Sequence, residues 1–206
     1  MQDALTADKL AIRETVENWV VYRDAGLWDR FATVWHEEGW MTATWFQGPY
    51  RDFIAISKKS FEAGVNILHQ LGGFTCDIAG DRAIAQTKVA ILQRGDVEGV
   101  PVDVICWGRF YDFFEKRDGR WAIVRRQPIY EKDRLDAVDP AATLAPFDPE
   151  LLAKFPEGYR HLAYLQAKVG FKVKEALPGV KGAAVEKLYA EGQAWLDGAP
   201  TPGEPL

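Results

Sequence analysis

The feature that most constrains the fold is a change of hydrophobic period at Ile67. Before this residue, apolar side chains recur at helical spacing, and after it the period becomes two. Four long extended runs follow, over Ile67–Ala79, Arg82–Arg94, Val102–Lys116 and Arg120–Glu131. Gly80 and Gly119 each stand beside an aspartate in a short connection, which predicts hairpins and antiparallel neighbours. Helices that come before a sheet predict an α+β fold, with the helices gathered on one face of a curved sheet.

The segment before Ile67 predicts three helices and one strand. Thr6 can cap a first helix over Ala7–Ala25, and Gly26 stands where that helix should stop. The later elements are a short helix from Trp28 that ends before Gly39, a strand over Trp40–Phe46, a turn over Gln47–Pro49 and a helix over Asp52–Ala63.

The composition shifts after Asp136, where prolines interrupt the chain and helical spacing then returns in Tyr159–Ala176 and Val180–Leu196. We therefore expect one domain over residues 1–135 and a helical extension over 136–206. The extension is too apolar for a free linker, so it should pack on its own sheet or on a neighbouring subunit. Prolines at 200, 202 and 205 predict a frayed end.

Composition restricts the function. With 25 basic and 30 acidic residues, the net charge of -5 predicts no attraction for nucleic acids or anionic membranes. No apolar run approaches the roughly 20 residues that cross a bilayer, and residues 1–7 do not resemble a signal peptide, so we expect a cytoplasmic protein. Cys76 and Cys106 lack the spacing of a zinc site and predict two buried, reduced thiols. We expect neither a metal nor a cofactor.

Aromatic residues are concentrated near the N-terminus, where five of the eight tryptophans lie between Trp19 and Trp45. Any one of these rings can be ordinary core packing. Together they favour a pocket for a flat, apolar ligand.

The three histidines differ in their surroundings. His36 is predicted at the end of the short helix, where the helix dipole favours a cation, and His161 in an amphipathic surface or interface segment. His69 lies in an apolar stretch, where the ring needs a hydrogen-bond partner. Asp24, in the last turn of the first helix, can hold that ring in one tautomer and leave the other nitrogen free as a general base. A core histidine with a satisfied hydrogen bond is the alternative.

One family resemblance joins these patterns. The segment Val21–Asp29, the Trp-bearing short helix, the capped helix, His69 and the hairpin Arg117–Trp121 together resemble the SnoaL-like branch of the nuclear transport factor two-like superfamily over roughly Thr6–Lys132. The resemblance implies a conical α+β barrel in which a bent antiparallel sheet and three helices enclose a pocket. It also implies a homo-oligomer, either a trimer or a dimer, with the convex face of the sheet covered by another subunit.

The resemblance also implies site residues. In scytalone dehydratase and hexachlorocyclohexane dehydrochlorinase, members of this group, an Asp–His pair is catalytic, and its positions correspond to Asp24 and His69. Scytalone dehydratase also uses two tyrosines and a second histidine. Tyr22 and Tyr50 lie in the corresponding regions. The chain lacks the second strand histidine, and Arg109 is the nearest candidate in its place.

Strand alternation divides the third long run into two faces. Asp103, Ile105, Trp107, Arg109 and Tyr111 share one face. A ring beside a fixed cation suits an aryl group that carries a hydroxyl, which favours this face as the pocket wall. The alternative places the same face at a subunit interface. Along the last run, Arg125, Gln127 and Ile129 oppose Arg126 and Tyr130, and the pattern leaves open which set points inward.

These observations favour a cofactor-independent lyase that acts on a hydroxylated aromatic small molecule. The expected catalytic residues are His69, Asp24, Arg109 and Tyr50, and the expected substrate-binding residues are Tyr22, Trp28, Trp45 and Trp107. The resemblance implies dehydration or the release of formaldehyde, the latter from a lignin-derived diarylpropane. One alternative is a non-catalytic ligand-binding or partner subunit. Another is an isomerase of the ketosteroid type, for which Asp103 is the obvious strand base.

Overall fold

The computed structural model describes residues 2–200, which form an open six-stranded sheet with helices on both faces. The N-terminal helices are α1 (Gln2–Asp24), α2 (Trp28–Ala32) and α3 (Tyr50–Glu62). The strands are β1 (Trp35–Thr42), β2 (Gln47–Pro49), β3 (Ile67–Ala79), β4 (Arg82–Val97), β5 (Val100–Arg117) and β6 (Arg120–Ala137). The later elements are α4 (Pro149–Ala153), a single 3₁₀ turn (Glu157–Tyr159), α5 (Arg160–Lys168) and α6 (Ala183–Leu196).

The strand order is β2-β1-β6-β5-β4-β3, and all neighbours are antiparallel except the parallel pair β1 and β6. Three successive hairpins link β3 to β6, and the turns at Gly80 and Gly119 predict the first and the third of them. Register shifts between Leu71 and Phe74 and between Phe113 and Phe114 mark irregularities that bend such sheets. The predicted α+β class is confirmed. The sheet is not closed into a barrel.

The sheet has an inner face, which packs on α1–α3, and an outer face, which packs on α6. Large buried rings fill the space between the inner face and the helices. Trp19 of α1 lies at the centre, with ring centroids 5.2 Å from Phe31 and 5.3 Å from Phe110. Most of the N-terminal tryptophans therefore contribute to the core, as the plainer alternative predicts.

The largest error in the predicted elements lies between α2 and α3. The predicted short helix ends at Ala32, and Trp35–Thr42 is a strand instead. The reason is a tertiary contact, because Trp35 and Met41 pair with Ile123 and Arg126 of β6, far away in sequence. The predicted turn at Gln47–Pro49 is the short strand β2.

The extension packs on its own sheet. Residues of α5 and the preceding turn form a second core with the ends of β5 and β6. On the outer face, Val185, Leu188 and Trp195 of α6 pack against Tyr111 and neighbouring side chains. Strand β6 runs to Ala137, so it crosses the predicted boundary at residue 135. The helices of the extension are shorter than predicted, and the predicted frayed end beyond residue 200 lies outside the described residues.

Helix α6 lies on part of the face that the resemblance assigns to another subunit. The expected dimer or trimer stays a prediction. Both cysteines are free and buried, as predicted. Burial raises the pKa of the Cys76 thiol to about 12.

Candidate active site

The end of α1 fixes the position of Asp24. Gly26 adopts a left-handed backbone conformation with φ of +69°. Its N–H donates to the carbonyl of Arg23 at 3.3 Å, and the N–H of Leu27 donates to the carbonyl of Tyr22 at 2.8 Å. This pair of bonds is the Schellman motif, which ends a helix at a glycine. Asp24 is thereby held in the last turn, where its carboxylate reaches the start of β3.

The Asp24 carboxylate contacts two nitrogens of one histidine. The backbone N–H of His69 donates to Oδ2 at 2.6 Å, and ring Nδ1 lies 2.8 Å from Oδ1. An ionised carboxylate only accepts hydrogen bonds, so this contact places the ring proton of neutral His69 on Nδ1. The lone pair is then on Nε2, which makes no hydrogen bond within residues 2–200. The fold thus brings together the two residues that the sequence pairs across 45 positions.

Burial keeps the His69 imidazole neutral. Only 7% of the side chain is exposed, and this burial is the largest influence on its pKa, which lies below the ordinary value of 6.5. The hydrogen bond and charge of Asp24 oppose the lowering, whereas the charges of Arg23 and Arg126 add to it. A neutral ring with an oriented tautomer is the form that a general base requires near neutral pH.

His69 lines a cavity between the inner face of the sheet and the helices, which we call the inner cavity. The empty space at this site is about 460 Å³ when its opening to solvent is included. Apolar side chains form most of its wall, namely Trp19, Met41, Ala43, Trp45, Phe53, Ile67, Ile91, Phe110, Pro128 and Leu162. The ring of Trp19 meets that of His69 edge-on at 5.3 Å. This wall suits an apolar, flat ligand beside the imidazole.

Arg23 is a cation at the inner cavity that the sequence analysis did not select. Its side chain is 7% exposed, and Nη1 lies 3.3 Å from Oδ1 of Asp24 and 3.4 Å from the carbonyl of Ile67. Its buried Nε has no hydrogen-bond partner within residues 2–200. Burial lowers the pKa of Arg23, but a guanidinium remains charged at neutral pH. Its position beside Asp24 in the sequence was the available signal.

A second buried cation lies behind the aromatic wall. Arg126 of β6 forms two 2.7 Å hydrogen bonds with the carboxylate of Asp112 on β5, and neither side chain is exposed. The guanidinium carbon lies 4.3 Å from the ring centroid of Trp19 and 3.8 Å from that of Phe110. Arg126 therefore contributes positive charge close to His69 without lining the inner cavity.

The extension completes the cavity wall. Leu162 and Gln166 of α5 line it, and the Gln166 side chain bonds to Thr44 and to Gln93 of β4. Phe171, just beyond α5, packs on the ring of Trp45 at 5.2 Å. The pocket is thus formed by both parts of the chain.

The expected substrate-binding residues separate into two groups. Trp45 lines the inner cavity and stacks on Phe53 at 5.5 Å. Trp28 packs on Phe61 at 5.7 Å, and Tyr22 lies beside Arg30. Neither Trp28 nor Tyr22 is among the residues that line the cavity.

The predicted inward orientation of Trp107 and Arg109 is wrong. Both point to the outer face, where Arg109 bonds to Glu131 at 2.7 Å and to the Tyr189 hydroxyl of α6 at 2.9 Å. Lys132 lies over the Trp107 ring. The physical reason is that α6 packs on part of the outer face. A cation and aromatic rings are therefore buried there as well, and the pattern that predicts a pocket wall also fits a face covered by a helix.

Tyr50 and Asp103 also lie away from the inner cavity. The Tyr50 ring is buried against Trp35, with ring centroids 5.5 Å apart. Asp103 forms a solvent-exposed pair with Arg94 at 2.7 and 2.8 Å. Asp103 therefore does not supply the strand base that an isomerase of the ketosteroid type would need in the cavity.

The other two histidines have structural contacts. His36 lies in β1 rather than at a helix end, and its Nε2 contacts the carbonyl of Glu115 at 2.9 Å. Burial is the main cause of its lowered pKa. His161 repeats the Asp–His geometry of the cavity, with Nδ1 and backbone N–H 2.8 and 2.6 Å from the two oxygens of Asp133. Asp133 also accepts the N–H of Leu162, so this pair caps α5 and lies outside the inner cavity.

Within residues 2–200, no helix is long and apolar enough to cross a membrane. The same residues contain no group of three or more His, Cys, Asp or Glu side chains placed to hold a metal ion.

The protein thus has an α+β fold in which helices pack on a curved sheet, and an Asp–His pair lies in the pocket between them. Residues 4–127 match the SnoaL-like domain family, and the chain belongs to that family. A PEP2-like protein and pea pathogenicity protein 2, both of Fusarium vanettenii, are 38% and 36% identical to it. Each match covers 95% of this chain and 88% of the relative.

A solved structure shows the same fold. The hexachlorocyclohexane dehydrochlorinase of Novosphingobium barchaimii superposes with a TM-score of 0.58 at 14% identity, and the match covers 71% of this chain and 100% of the other. At this identity the likeness concerns the fold alone. The family match ends at residue 127, so Gln166 and Leu162 of the pocket lie beyond it.

Proposed function

We propose that the protein is a cofactor-independent lyase that acts on a hydroxylated aromatic small molecule. The observation that carries the proposal is the Asp24–His69 pair, whose hydrogen bonds orient a neutral imidazole at the wall of an aromatic cavity. In this proposal His69 is the general base and Asp24 holds its tautomer. Membership of a superfamily that includes dehydratases and a dehydrochlorinase supports the same class.

The proposed step is the elimination of water across a carbon–carbon bond. His69 Nε2 takes a proton from carbon, the C–H electron pair becomes a new C=C bond, and the C–O bond to a neighbouring hydroxyl breaks. The departing oxygen receives the proton from the imidazolium and leaves as water. Arg23, which replaces Arg109 in this role, stabilises the negative charge that develops on the leaving oxygen.

Formaldehyde release fits the same residues. His69 would take the proton of a hydroxymethyl group, the adjacent C–C bond would break to form formaldehyde, and its electron pair would form the C=C bond. The benzylic hydroxyl would leave as water with the proton returned by His69. A lignin-derived 1,2-diaryl-1,3-propanediol carries both groups, and its rings match the aromatic walls around Trp19 and Trp45.

The proposed compartment is the cytoplasm, since two free, buried cysteines are typical of proteins in a reducing environment.

The test is turnover of a 1,2-diaryl-1,3-propanediol and of a β-hydroxy aryl ketone, followed by absorbance of the conjugated product and by a formaldehyde assay. We expect turnover by the unmodified protein and a loss of roughly 10²–10⁴-fold in His69→Ala. His161→Ala is the matched control, because it removes an imidazole with the same carboxylate geometry outside the cavity. It should retain turnover within about threefold.

Equal loss in the two histidine variants would contradict a catalytic His69. If both compounds bind with no turnover, and His69→Ala leaves their affinity unchanged, the non-catalytic binding alternative is supported instead.

A further inference from the structure

Three uncharged polar side chains form one wall of the inner cavity. Thr44, Gln93 and Gln166 all line it, and they are 2%, 5% and 3% exposed. They come from the segment after β1, from β4 and from α5 of the extension. Burial of an amide costs free energy unless the amide is hydrogen-bonded, so each polar atom of these side chains should have a partner in the protein or in a ligand.

The three side chains form a chain of hydrogen bonds from Thr44 to Gln166 to Gln93, and some of their N–H donors remain without a partner in it. The Thr44 hydroxyl donates to Gln166 Oε1 at 2.5 Å, and Gln166 Nε2 donates to Gln93 Oε1 at 3.1 Å. A carboxamide nitrogen carries two N–H groups. Gln93 Nε2 makes no hydrogen bond within residues 2–200, and Gln166 Nε2 uses one N–H. The wall therefore offers N–H donors to whatever fills the cavity.

Strand register places these donors close to the base. His69 of β3 pairs with Ile91 of β4, and Gln93 lies two residues further along on the same face. Such diagonal neighbours are about 7–8 Å apart. This spacing is comparable to the length of a substituted benzene ring, so one aryl unit can reach both groups.

We propose that Gln166, together with Gln93 and Thr44, binds an uncharged oxygen of the substrate, either a carbonyl, an ether or a hydroxyl. The inference rests on the proposed function, since it specifies the substrate class of the same site. The three groups carry no formal charge, and so they supply hydrogen bonds without compensating an anion. The substrate would then carry its reacting carbon at His69 and a neutral oxygen on the same aryl unit at Gln166. Gln166 is a specificity-determining residue that lies beyond the family match.

The test uses binding of three small probes, which does not depend on turnover. Acetophenone, ethylbenzene and benzoate share a phenyl ring and differ in their oxygen atoms, and their affinities follow from ligand-observed NMR titration. The unmodified protein should bind acetophenone about tenfold more tightly than ethylbenzene, as expected for one to two hydrogen bonds. Gln166→Leu should reduce this ratio to less than about threefold while it retains ethylbenzene binding.

The matched control is Gln193→Leu, since Gln193 is exposed on α6 and its side-chain amide donates to Asp197 at 3.0 Å. It should preserve the tenfold ratio. If Gln166→Leu does not fold, Gln93→Met makes the same test from the sheet. A ratio that survives both cavity variants would overturn the inference. Benzoate that binds more tightly than acetophenone and loses this affinity in Gln166→Leu would overturn it too, whereas benzoate bound by Arg23 would keep its affinity in that variant. A missing turnover in the unmodified protein would count against the lyase, whereas a probe ratio near one would count against Gln166 alone.

Discussion

Each oxygen of Asp24 accepts a hydrogen bond from His69, Oδ2 from the backbone N–H at 2.6 Å and Oδ1 from ring Nδ1 at 2.8 Å. The first bond fixes where the ring is attached, and the second fixes how the ring is turned and which nitrogen is protonated. A carboxylate that holds both the main chain and the side chain of a base leaves little rotational freedom. Preorganisation of this kind is favourable for proton transfer, because reorientation costs are met during folding.

Asp24→Asn should reduce kcat by roughly 10²–10⁴-fold with a smaller change in KM. The amide keeps the size of the carboxylate, but it no longer requires the proton of His69 to be on Nδ1. Steady-state kinetics on the diaryl propanediol give both constants. A KM effect with unchanged kcat would indicate a role in binding rather than in orienting the base.

The activity should fall below pH 6.5. Burial lowers the His69 pKa from 6.5 in the folded protein, so the base form persists through neutral pH and kcat/KM should reach a plateau there. Protonation removes the base as the pH falls through the lowered pKa. The pH profile of kcat/KM and an NMR titration of the His69 ring should report one pKa, and a value above 6.5 would contradict the burial argument.

The same lowered pKa makes stability depend on pH. Between the folded pKa and 6.5, the unfolded chain binds more protons at His69 than the folded chain does. The contribution of His69 to folding stability is therefore complete above pH 6.5 and is lost as the pH falls below that value. Urea unfolding at a series of pH values, compared with His69→Phe, isolates this contribution.

Asp112→Ala should destabilise the fold by about 3–5 kcal/mol, since it leaves the charge of Arg126 buried without a partner. Asp103→Ala is the matched control, because Asp103 and Arg94 form the same two-bond geometry in solvent. Its cost should be below about 1 kcal/mol. Chemical denaturation of the two variants measures the difference, and equal costs would show that the Asp112 pair is not buried in solution.

Arg23→Gln should reduce kcat by roughly 10²–10³-fold, as expected on removal of a donor that stabilises developing charge. Arg109→Gln should leave kcat within about threefold, because Arg109 bonds to Glu131 and Tyr189 on the outer face. Kinetics of the two variants on one substrate distinguish the two cations. The reverse order of effects would restore Arg109 to the site.

The sequence predicts β3 to β6 well because their order depends on local signals, namely a period of two and short glycine turns. It predicts the region from Trp35 to Thr42 badly because β1 forms through parallel pairing with β6, about 85 residues away, which no local pattern records. The start of α5 depends similarly on Asp133, a cap supplied by β6.

The candidate site shows the same division. The Asp24–His69 contact follows from a helix end and an apolar histidine, both visible in the chain. The inward face of β5 does not, since α6 buries rings and a cation on the outer side as well. The Arg126–Asp112 pair had a partial signal, because the hairpin at Asp118 and Gly119 brings β5 and β6 together, and the two residues are direct partners in its register.

Gln166 is separated from the last residue of the family match by 38 positions, from 128 to 165. The two Fusarium relatives match over 95% of this chain, so their matches extend over α5 as well. If Gln166 selects the substrate as proposed, a change at this position alters substrate choice without changing Asp24 or His69. A comparison restricted to residues 4–127 would leave this proposed determinant of substrate choice out of view.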